Sequence, residues 1–372
     1  MIGSDIKKPL EDIPTVMRAV VMKGHGGFDK LEYHTDWPTP VPGKGEVLVK
    51  VHACGLNNTD INTRIGWYSK SASEQKSGTD SGNDDDEAWG GAPLAFPRIQ
   101  GADVVGTVVA NGPQSDPGLL GKRVLINTWF RDWNDPLNPE KCTYLGSECD
   151  GGFADFTKVD QRNIHPINSE LSDAELATFA TAYHTAENML NRANVGESDI
   201  VLIPGASGGV GSALIQMANR RGAVTIAMCS ESKQDEVKAI GADAVMARSP
   251  KNLSAEIRSA IGRDTVTVVA DVVGGALWPE LIDVLARGGR YTCAGAIAGP
   301  IVELDLRTFY LNDLTFTGAT TCPPGIFDDL ISYIEKGEIR PILAKTFPLR
   351  ELIEAQKLFL AKQHVGNIVV TM

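Results

Sequence analysis

The run Ile200-Val201-Leu202-Ile203-Pro204 passes directly into Gly205-Ala206-Ser207-Gly208-Gly209-Val210-Gly211, and no other stretch restricts the fold of this chain as tightly. The apolar run has the length of a strand. Ser212 to Arg220 then sets Leu214, Ile215, Met217 and Ala218 on one face of a helix. Ala206, Gly208 and Gly211 occupy the three small-residue positions of G-x-G-x-x-G, with alanine replacing the first glycine. A tight turn, close approach of backbone to a pyrophosphate, and close packing of helix on strand each demand a small residue there, and the helix N-terminus favours phosphate. The segment reads as a dinucleotide cradle whose contact residues are Ala206, Ser207, Gly208, Gly209, Val210 and Gly211.

The same letters also match G-x-S-x-G, the elbow that presents a nucleophilic serine in hydrolases, so Ser207 is a rival candidate. Its triad needs an acid and a histidine downstream, and the one histidine after Ser207 is His364. The residues after the turn favour the cradle. Val224 to Cys229, Ala244 to Met246, Val266 to Val273 and Arg290 to Ala294 read as strands. Between them Lys233 to Ile240 (stopped by Gly241), Leu253 to Ile261 and Leu277 to Arg287 (stopped by Gly288-Gly289) read as helices. Strict alternation predicts an α/β fold with a parallel, doubly wound sheet.

A chain of 372 residues exceeds one ordinary core and predicts two domains. Its net charge of -12 disfavours a nucleic-acid partner, and no apolar run reaches the length of a membrane span. Met1 to Met17 lacks the apolar core of a signal peptide, so a cytoplasmic location is the default expectation. The six cysteines are scattered, without C-x-x-C, which fits reduced thiols better than a disulfide framework or a structural zinc. The N-terminal part is β-rich: Arg18 to Met22, the alternating Glu46 to His52, Gly101 to Val109, Lys122 to Ile126 and Gly151 to Thr157 read as strands. Trp129, Phe130 and Trp133 fall in a segment too polar for core, suited to a cleft lining or a surface cover. Ser172 with Glu175 makes a capping box, and Leu176, Phe179, Ala180 and Tyr183 continue at helical spacing. Leu314 to Thr317 reads as a strand, Pro323-Pro324 opens a helix striped by Phe327, Leu330, Ile331 and Ile334, and the end returns to strand, helix, strand.

Three spaced motifs occur in order. They are Gly55-x-Asn57-x-x-Asp60-x-x-x-Arg64-x-Gly66-x-Tyr68, then Phe96-Pro97-x-x-x-Gly101-x-Asp103-x-x-Gly106, then Gly205 to Gly211. With the ending Gly366-Asn367-Ile368-Val369-Val370, the chain resembles the medium-chain dehydrogenase/reductase superfamily, and within it the zinc-independent quinone oxidoreductase-like branch. The resemblance implies a GroES-like catalytic domain over 1–166 and 338–372 and a Rossmann domain over 167–337. Between them, a nicotinamide would pass hydride to a small carbonyl, enone or quinone. Zinc-dependent relatives carry ligands where this chain has Asn57, Ala102 and Ala177, and a four-cysteine lobe where it offers Cys142 and Cys149, so no metal is expected. The six histidines show no H-x-x-x-H spacing.

Without a Lewis acid, hydrogen-bond donors must stabilise charge on the substrate oxygen. Asn57, Thr59 and Tyr68 are the catalytic candidates on the resemblance. Asn57 has a second reading as a helix cap, and Arg64 and Tyr68 have structural readings too. Many quinone reductases carry tyrosine where Asn62 stands here, and often lysine where Asn367 stands, which leaves the proton donor open and weakens one cofactor contact. Thr181 falls where relatives touch the nicotinamide; Val272 and Val273 should lie by the adenosine, and Ala294, Gly295 and Ile297 by the nicotinamide amide. After the second parallel strand, Ser230 and Lys233 suit a 2′-phosphate, while Glu231 comes late for the acid of an NAD site, so NADP (NADPH) is the expected cofactor.

The expected activity is an NADPH-dependent, metal-free reductase of quinones, α,β-unsaturated carbonyls or related small carbonyls. An enoyl-thioester reductase or a metal-free alcohol dehydrogenase on the same fold are alternatives, as are a serine hydrolase on Ser207 and a non-catalytic NADPH-binding protein. A homodimer through the strand near Leu314 is implied by the resemblance. Ser69 to Glu87 has no apolar residue larger than alanine and reads as a surface loop or a lid at the cleft mouth, its return anchored by Trp89, Leu94 and Phe96.

Overall fold

A computed structural model of the protein describes residues 12–68 and 94–372. The expectations for Ser69 to Glu87 and Trp89 lie outside the described residues.

Six strands form a wholly parallel sheet in the spatial order Ala244–Ala247, Val224–Cys229, Ile200–Pro204, Val266–Asp271, Leu285–Cys293, Thr315–Gly318. Counted from Ile200–Pro204 this is the order 3-2-1-4-5-6 of the Rossmann fold. Both faces of the sheet are covered, which is why its strands are apolar without alternation. Val201 and Ile203 pack toward the helices Ala180–Arg192, Gly209–Arg220 and Ile326–Glu335. Ile200 and Leu202 pack toward Leu253–Ile261 and Trp278–Asp283. Phe179, Tyr183, Met189 and Leu214 are at most 1% exposed, each contributing about 1.5–3 kcal/mol by burial.

The β-rich half is centred on Glu46–Gly55, which pairs with Asp103–Asn111, Phe156–Asp160 and Asn367–Thr371 in a seven-stranded sheet. Val16–Met22 pairs with Leu31–Pro38 and Arg98–Ile99 in a smaller one. The C-terminal strand, helix and strand (Leu343–Pro348, Leu352–Ala361, Asn367–Thr371) return to the first sheet, with Cys54 opposite Val370. Ala53, Val105 and Leu125 of that sheet share one core with the helix Ala180–Arg192, so this helix forms the seam between the two halves. Among the described residues, no helix is long and apolar enough to cross a membrane.

Four local expectations are corrected. The helix from Ser172 keeps its capping box but breaks into Asp173–Leu176 and Ala180–Arg192: the Glu175 carbonyl takes both the N–H and the hydroxyl of Thr178, at 3.1 and 2.7 Å, and the Phe179 N–H turns to the Leu176 carbonyl. The helix expected from Leu277 to Arg287 spans Trp278–Asp283; Gly288 lies at φ +74° with its N–H on the Asn312 carbonyl, so Gly288-Gly289 forms a bulge inside the strand Leu285–Cys293 rather than a helix stop. The strand expected at Gly151 begins at Phe156, since the amides of Gly151, Gly152 and Phe153 bond the carbonyls of Ile99, Gly101 and Gln100. Trp129 is core after all: Trp129–Phe130 pairs with Thr143–Tyr144, and Trp129 is buried with Ala102, Cys142, Tyr144 and Cys322.

Candidate active site

The cradle is built from backbone. Gly205 lies at φ +66°, where an L side chain is strained, and turns the chain off the strand Ile200–Pro204. Ala206 is fully buried beneath it. A Cβ on Gly211 would lie 2.4 Å from the Gly205 carbonyl oxygen and 2.6 Å from the Ala206 Cα, so helix and turn touch through a position only glycine can fill. A Cβ on Gly208 would meet nothing closer than 3.5 Å, which leaves this side of the turn open for a ligand. The helix Gly209–Arg220 starts there without a side-chain cap, so the first-turn N–H groups of Gly209, Val210 and Gly211 face outward without intrahelical acceptors. These features fit a pyrophosphate.

The turn is also stitched to the last strand. Ser207 accepts from the Gly366 N–H at 2.9 Å, and a Cβ on Gly209 would lie 2.2 Å from Asn367 Oδ1. Asn367 is itself held by its Nδ2 on the Thr178 carbonyl at 2.6 Å. The hydrolase arrangement finds no support. His364 Nδ1 is buried without a hydrogen-bond partner, where a triad needs an orienting acid, and burial lowers this imidazole to about 4.

At the end of Val224–Cys229, Ser230 precedes a single turn Glu231–Lys233, its hydroxyl 3.4 Å from that of Ser232. Lys233 is not the solvated lysine its position suggests. It is buried, and its Nζ donates to the carbonyls of Lys362 at 2.6 Å and His364 at 2.8 Å. Lys362 reaches Asn58 Oδ1 at 3.0 Å; burial, then the Lys233 charge, lowers it to about 8. Two cations thus lie close together, one of them on the turn that follows Ser230. Lys362 escaped sequence reasoning because it stands 129 residues from Lys233, and its one local sign is that it ends the helix Leu352–Ala361 in the left-handed conformation.

The remaining cofactor candidates are brought together. Asp271 accepts the Val273 N–H at 2.6 Å and the Tyr291 hydroxyl at 2.8 Å, fixing Val272 and Val273 at the strand end. Ile297 N bonds the Val272 carbonyl and Ala298 N the Val273 carbonyl, which lays Ala294 and Gly295 against the same edge; Ile297 remains 54% exposed.

The floor is built from side chains. Asn57 caps the helix Asn58–Arg64, its N–H on Asp60 Oδ2 at 2.8 Å, so its helix-cap reading holds. Its amide Nδ2 is buried without a hydrogen bond, beside the Asp103 carboxylate whose charged form it favours. Asp103 Oδ1 accepts the Thr181 N–H at 2.8 Å and the Thr181 hydroxyl, and Thr181 Oγ1 lies 2.8 Å from the Tyr144 hydroxyl. Burial raises Asp60 to about 7 and Asp103 to about 6. Thr59 is half-buried on the first turn of the same helix. Tyr68 accepts from Asn62 at 3.4 Å and lines a small cavity with His25, Thr63 and Leu94. Arg64 is structural, buried with its guanidinium on the Gly26 carbonyl and over the Phe28 ring. Tyr144, Asp60 and Asp103 were not among the sequence candidates. The spacing of Asp60 and Asp103 was visible in the motifs, but their convergence was not.

The donors do not fit a tetrahedral zinc. Ala102 and Ala177 offer no ligand atom, and Asp60 accepts backbone N–H groups on both oxygens. Among the described residues, no group of three His, Cys, Asp or Glu side chains could hold a metal ion.

Residues 43–169 match the alcohol dehydrogenase GroES-like domain family and residues 209–336 the zinc-binding dehydrogenase family. The chain is 25% identical to an acryloyl-coenzyme A reductase of Metallosphaera sedula, over 95% of this chain and 100% of that protein. It is 27% identical to a quinone oxidoreductase of Mus musculus, over 92% of this chain and 93% of that one. A crystal structure of a Sinorhizobium meliloti protein assigned as an alcohol dehydrogenase is 43% identical, with a TM-score of 0.89 over 96% of this chain and 97% of that one.

Proposed function

The chain belongs to the medium-chain dehydrogenase/reductase superfamily, a family of nicotinamide-dependent oxidoreductases, and from that premise we propose that it is a metal-free, NADPH-dependent reductase of quinones, α,β-unsaturated carbonyls or related small carbonyls. One observation carries this reading. On the resemblance, Asn57, Ala102 and Ala177 stand where zinc-dependent relatives hold their ligands, while the hydrogen-bonded set Asp103, Thr181 and Tyr144, with the Asn57 amide beside it, stands at the same floor. Asn57, Thr59 and Thr181 polarise the substrate oxygen, with Tyr68 at the edge. When bound, the nicotinamide supplies the hydride. Ala206 to Gly211 hold the pyrophosphate, Val272, Val273, Ala294, Gly295 and Ile297 border the rest of the cofactor, and Ser230, Lys233 and Lys362 favour NADPH over NADH. The likeness to an acryloyl-coenzyme A reductase supports enoyl thioesters as a second substrate class.

We also propose a homodimer. Among the described residues the outer strand Thr315–Gly318 pairs along one edge, and Ile301, Leu306, Tyr310 and Leu311, shortly before it in the chain, are each more than half exposed. Equilibrium sedimentation tests this.

The functional test is a titration of metal-stripped protein with NADPH and NADH, followed by tryptophan fluorescence. NADPH consumption is then measured with a quinone, an enone, an enoyl thioester and an aldehyde. Tight NADPH binding with turnover of a quinone or enone is expected. Turnover that appears only on adding zinc would overturn the metal-free reading.

A further inference from the structure

The floor of the site is a directed chain of hydrogen bonds. Thr181 has one hydroxyl proton, and it points at Asp103 Oδ1, the oxygen that also takes the Thr181 N–H at 2.8 Å. The Tyr144 phenol, 2.8 Å from Thr181 Oγ1, is therefore the donor into that hydroxyl. Thr181 is the partly exposed member, whereas Asp103 is 1% and Tyr144 4% exposed. Behind them, Asp60 is 3% exposed with its oxygens on the N–H groups of Asn57 and Gly101. The second Asp103 oxygen and Asn57 Nδ2 are both buried without a hydrogen bond.

We propose that the Asp60–Asp103 pair stores one exchangeable proton and that the Thr181 hydroxyl hands it to the oxyanion formed on the substrate. Resting on the reductase reading above, this names the proton source that the reading leaves open. With Asp103 protonated on Oδ1 the chain reverses: the carboxyl O–H donates to Thr181 Oγ1, and the threonine proton is free to face the cleft. In the transfer, the Thr181 O–H bond breaks as the substrate O–H bond forms, and the Asp103 O–H bond breaks as that of Thr181 re-forms. The carboxylate left behind is reprotonated from solvent. Asp103 acts through Thr181 and is a positioning residue; Tyr144 holds the threonine from the other side.

The electrostatics agree with the geometry. Asp60 faces Asp103 from the helix Asn58–Arg64, Cys54 from the strand Glu46–Gly55, and Tyr144 from its ribbon, while the seam helix contributes the neutral Thr181; none of these is a cation. Burial pushes Cys54 and Tyr144 well up, so both stay neutral. Burial chiefly, and for Asp60 also the Asp103 charge, puts the two carboxyls at about 7 and about 6, which suits proton donation near neutral pH.

Two readouts test this in the full chain. In infrared titration of metal-free protein, a protonated-carboxyl stretch should persist at neutral pH, vanish as pH rises, and be lost or shifted in Asp103→Asn. In NADPH oxidation with a quinone, kcat should fall as pH rises through the pair's titration. Thr181→Val should lower kcat about 10²-fold and flatten that limb, Thr181→Ser should restore both, and NADPH affinity should change only a few-fold. A limb that survives in Thr181→Val, or no carboxyl band at neutral pH, overturns the relay. Absence of turnover with every substrate overturns the reductase reading instead, and the infrared band still decides whether the pair holds a proton.

Discussion

The cradle and the floor are made of different material. At the cradle, recognition is by backbone N–H groups, and side chains matter by being missing: Gly211 and Gly209 sit where a single Cβ would overlap neighbouring atoms at 2.4 and 2.2 Å. At the floor, recognition is by side-chain oxygens and nitrogens gathered from the helix Asn58–Arg64, the strand Asp103–Asn111, the ribbon at Thr143–Tyr144 and the seam helix Ala180–Arg192. A backbone-built site should therefore fail through shape, and a side-chain site through charge and proton placement while the fold survives.

The largest effect is expected at Gly211. Gly211→Val forces a branched side chain into the Gly205 carbonyl and the Ala206 backbone, neither of which can move without displacing the strand. Overpacking of this kind costs about 1–3 kcal/mol or more. Nucleotide binding should be lost and the melting temperature lowered. A variant that binds NADPH with unchanged affinity would show that helix and turn are not locked together.

Next comes Gly209→Ala, whose methyl group meets Asn367 Oδ1, an atom held by the Asn367 bond to Thr178. NADPH affinity should fall about tenfold. Gly209→Ala with Asn367→Ala should recover much of it, since the clash is removed at the cost of one hydrogen bond of about 1 kcal/mol. Failure of that rescue would mean Asn367 contributes to the cradle by more than its position.

Lys233→Met bridges the two classes of site. It removes bonds to the Lys362 and His364 carbonyls as well as a cation on the turn that follows Ser230. NADPH affinity should drop several-fold more than NADH affinity, with a stability loss of about 1–3 kcal/mol from two charge-assisted bonds. Equal losses for both nucleotides would assign Lys233 to the tether alone.

This contrast explains what could be read from the letters. The parallel sheet was legible because Ile200–Pro204, Val224–Cys229 and Leu253–Ile261 are local patterns, and the cradle because three small residues at fixed spacing have one common reason. Gly288-Gly289 misled because glycine ends helices and also permits bulges, and only the partner strand decides between them. Trp129 misled because its polar neighbours mask a contact with Cys322, far along the chain. The Asn57 cap was legible from one local turn. The Thr181 bond to Asp103 was not, because a hydrogen bond across 78 residues leaves no periodicity behind.

The smallest expected effect concerns stability rather than activity. Asp60 titrates at about 7 in the folded chain against an ordinary 3.8, because burial penalises its charged form. The folded state therefore binds this proton more tightly than the unfolded chain. The resulting stabilisation is complete below the unfolded value and is lost as pH rises through the folded one. Asp60→Asn removes the titration while keeping an oxygen for the Asn57 or Gly101 N–H, so it should lower the melting temperature in acid and lose that disadvantage toward neutral and alkaline pH. Asp103, at about 6, adds a change of the same sign over a slightly lower range. If wild type and Asp60→Asn keep a constant difference in melting temperature across this window, the floor is wet enough to leave its carboxylates ordinary. In that case its difference from the cradle is one of composition, with no buried proton to distinguish it.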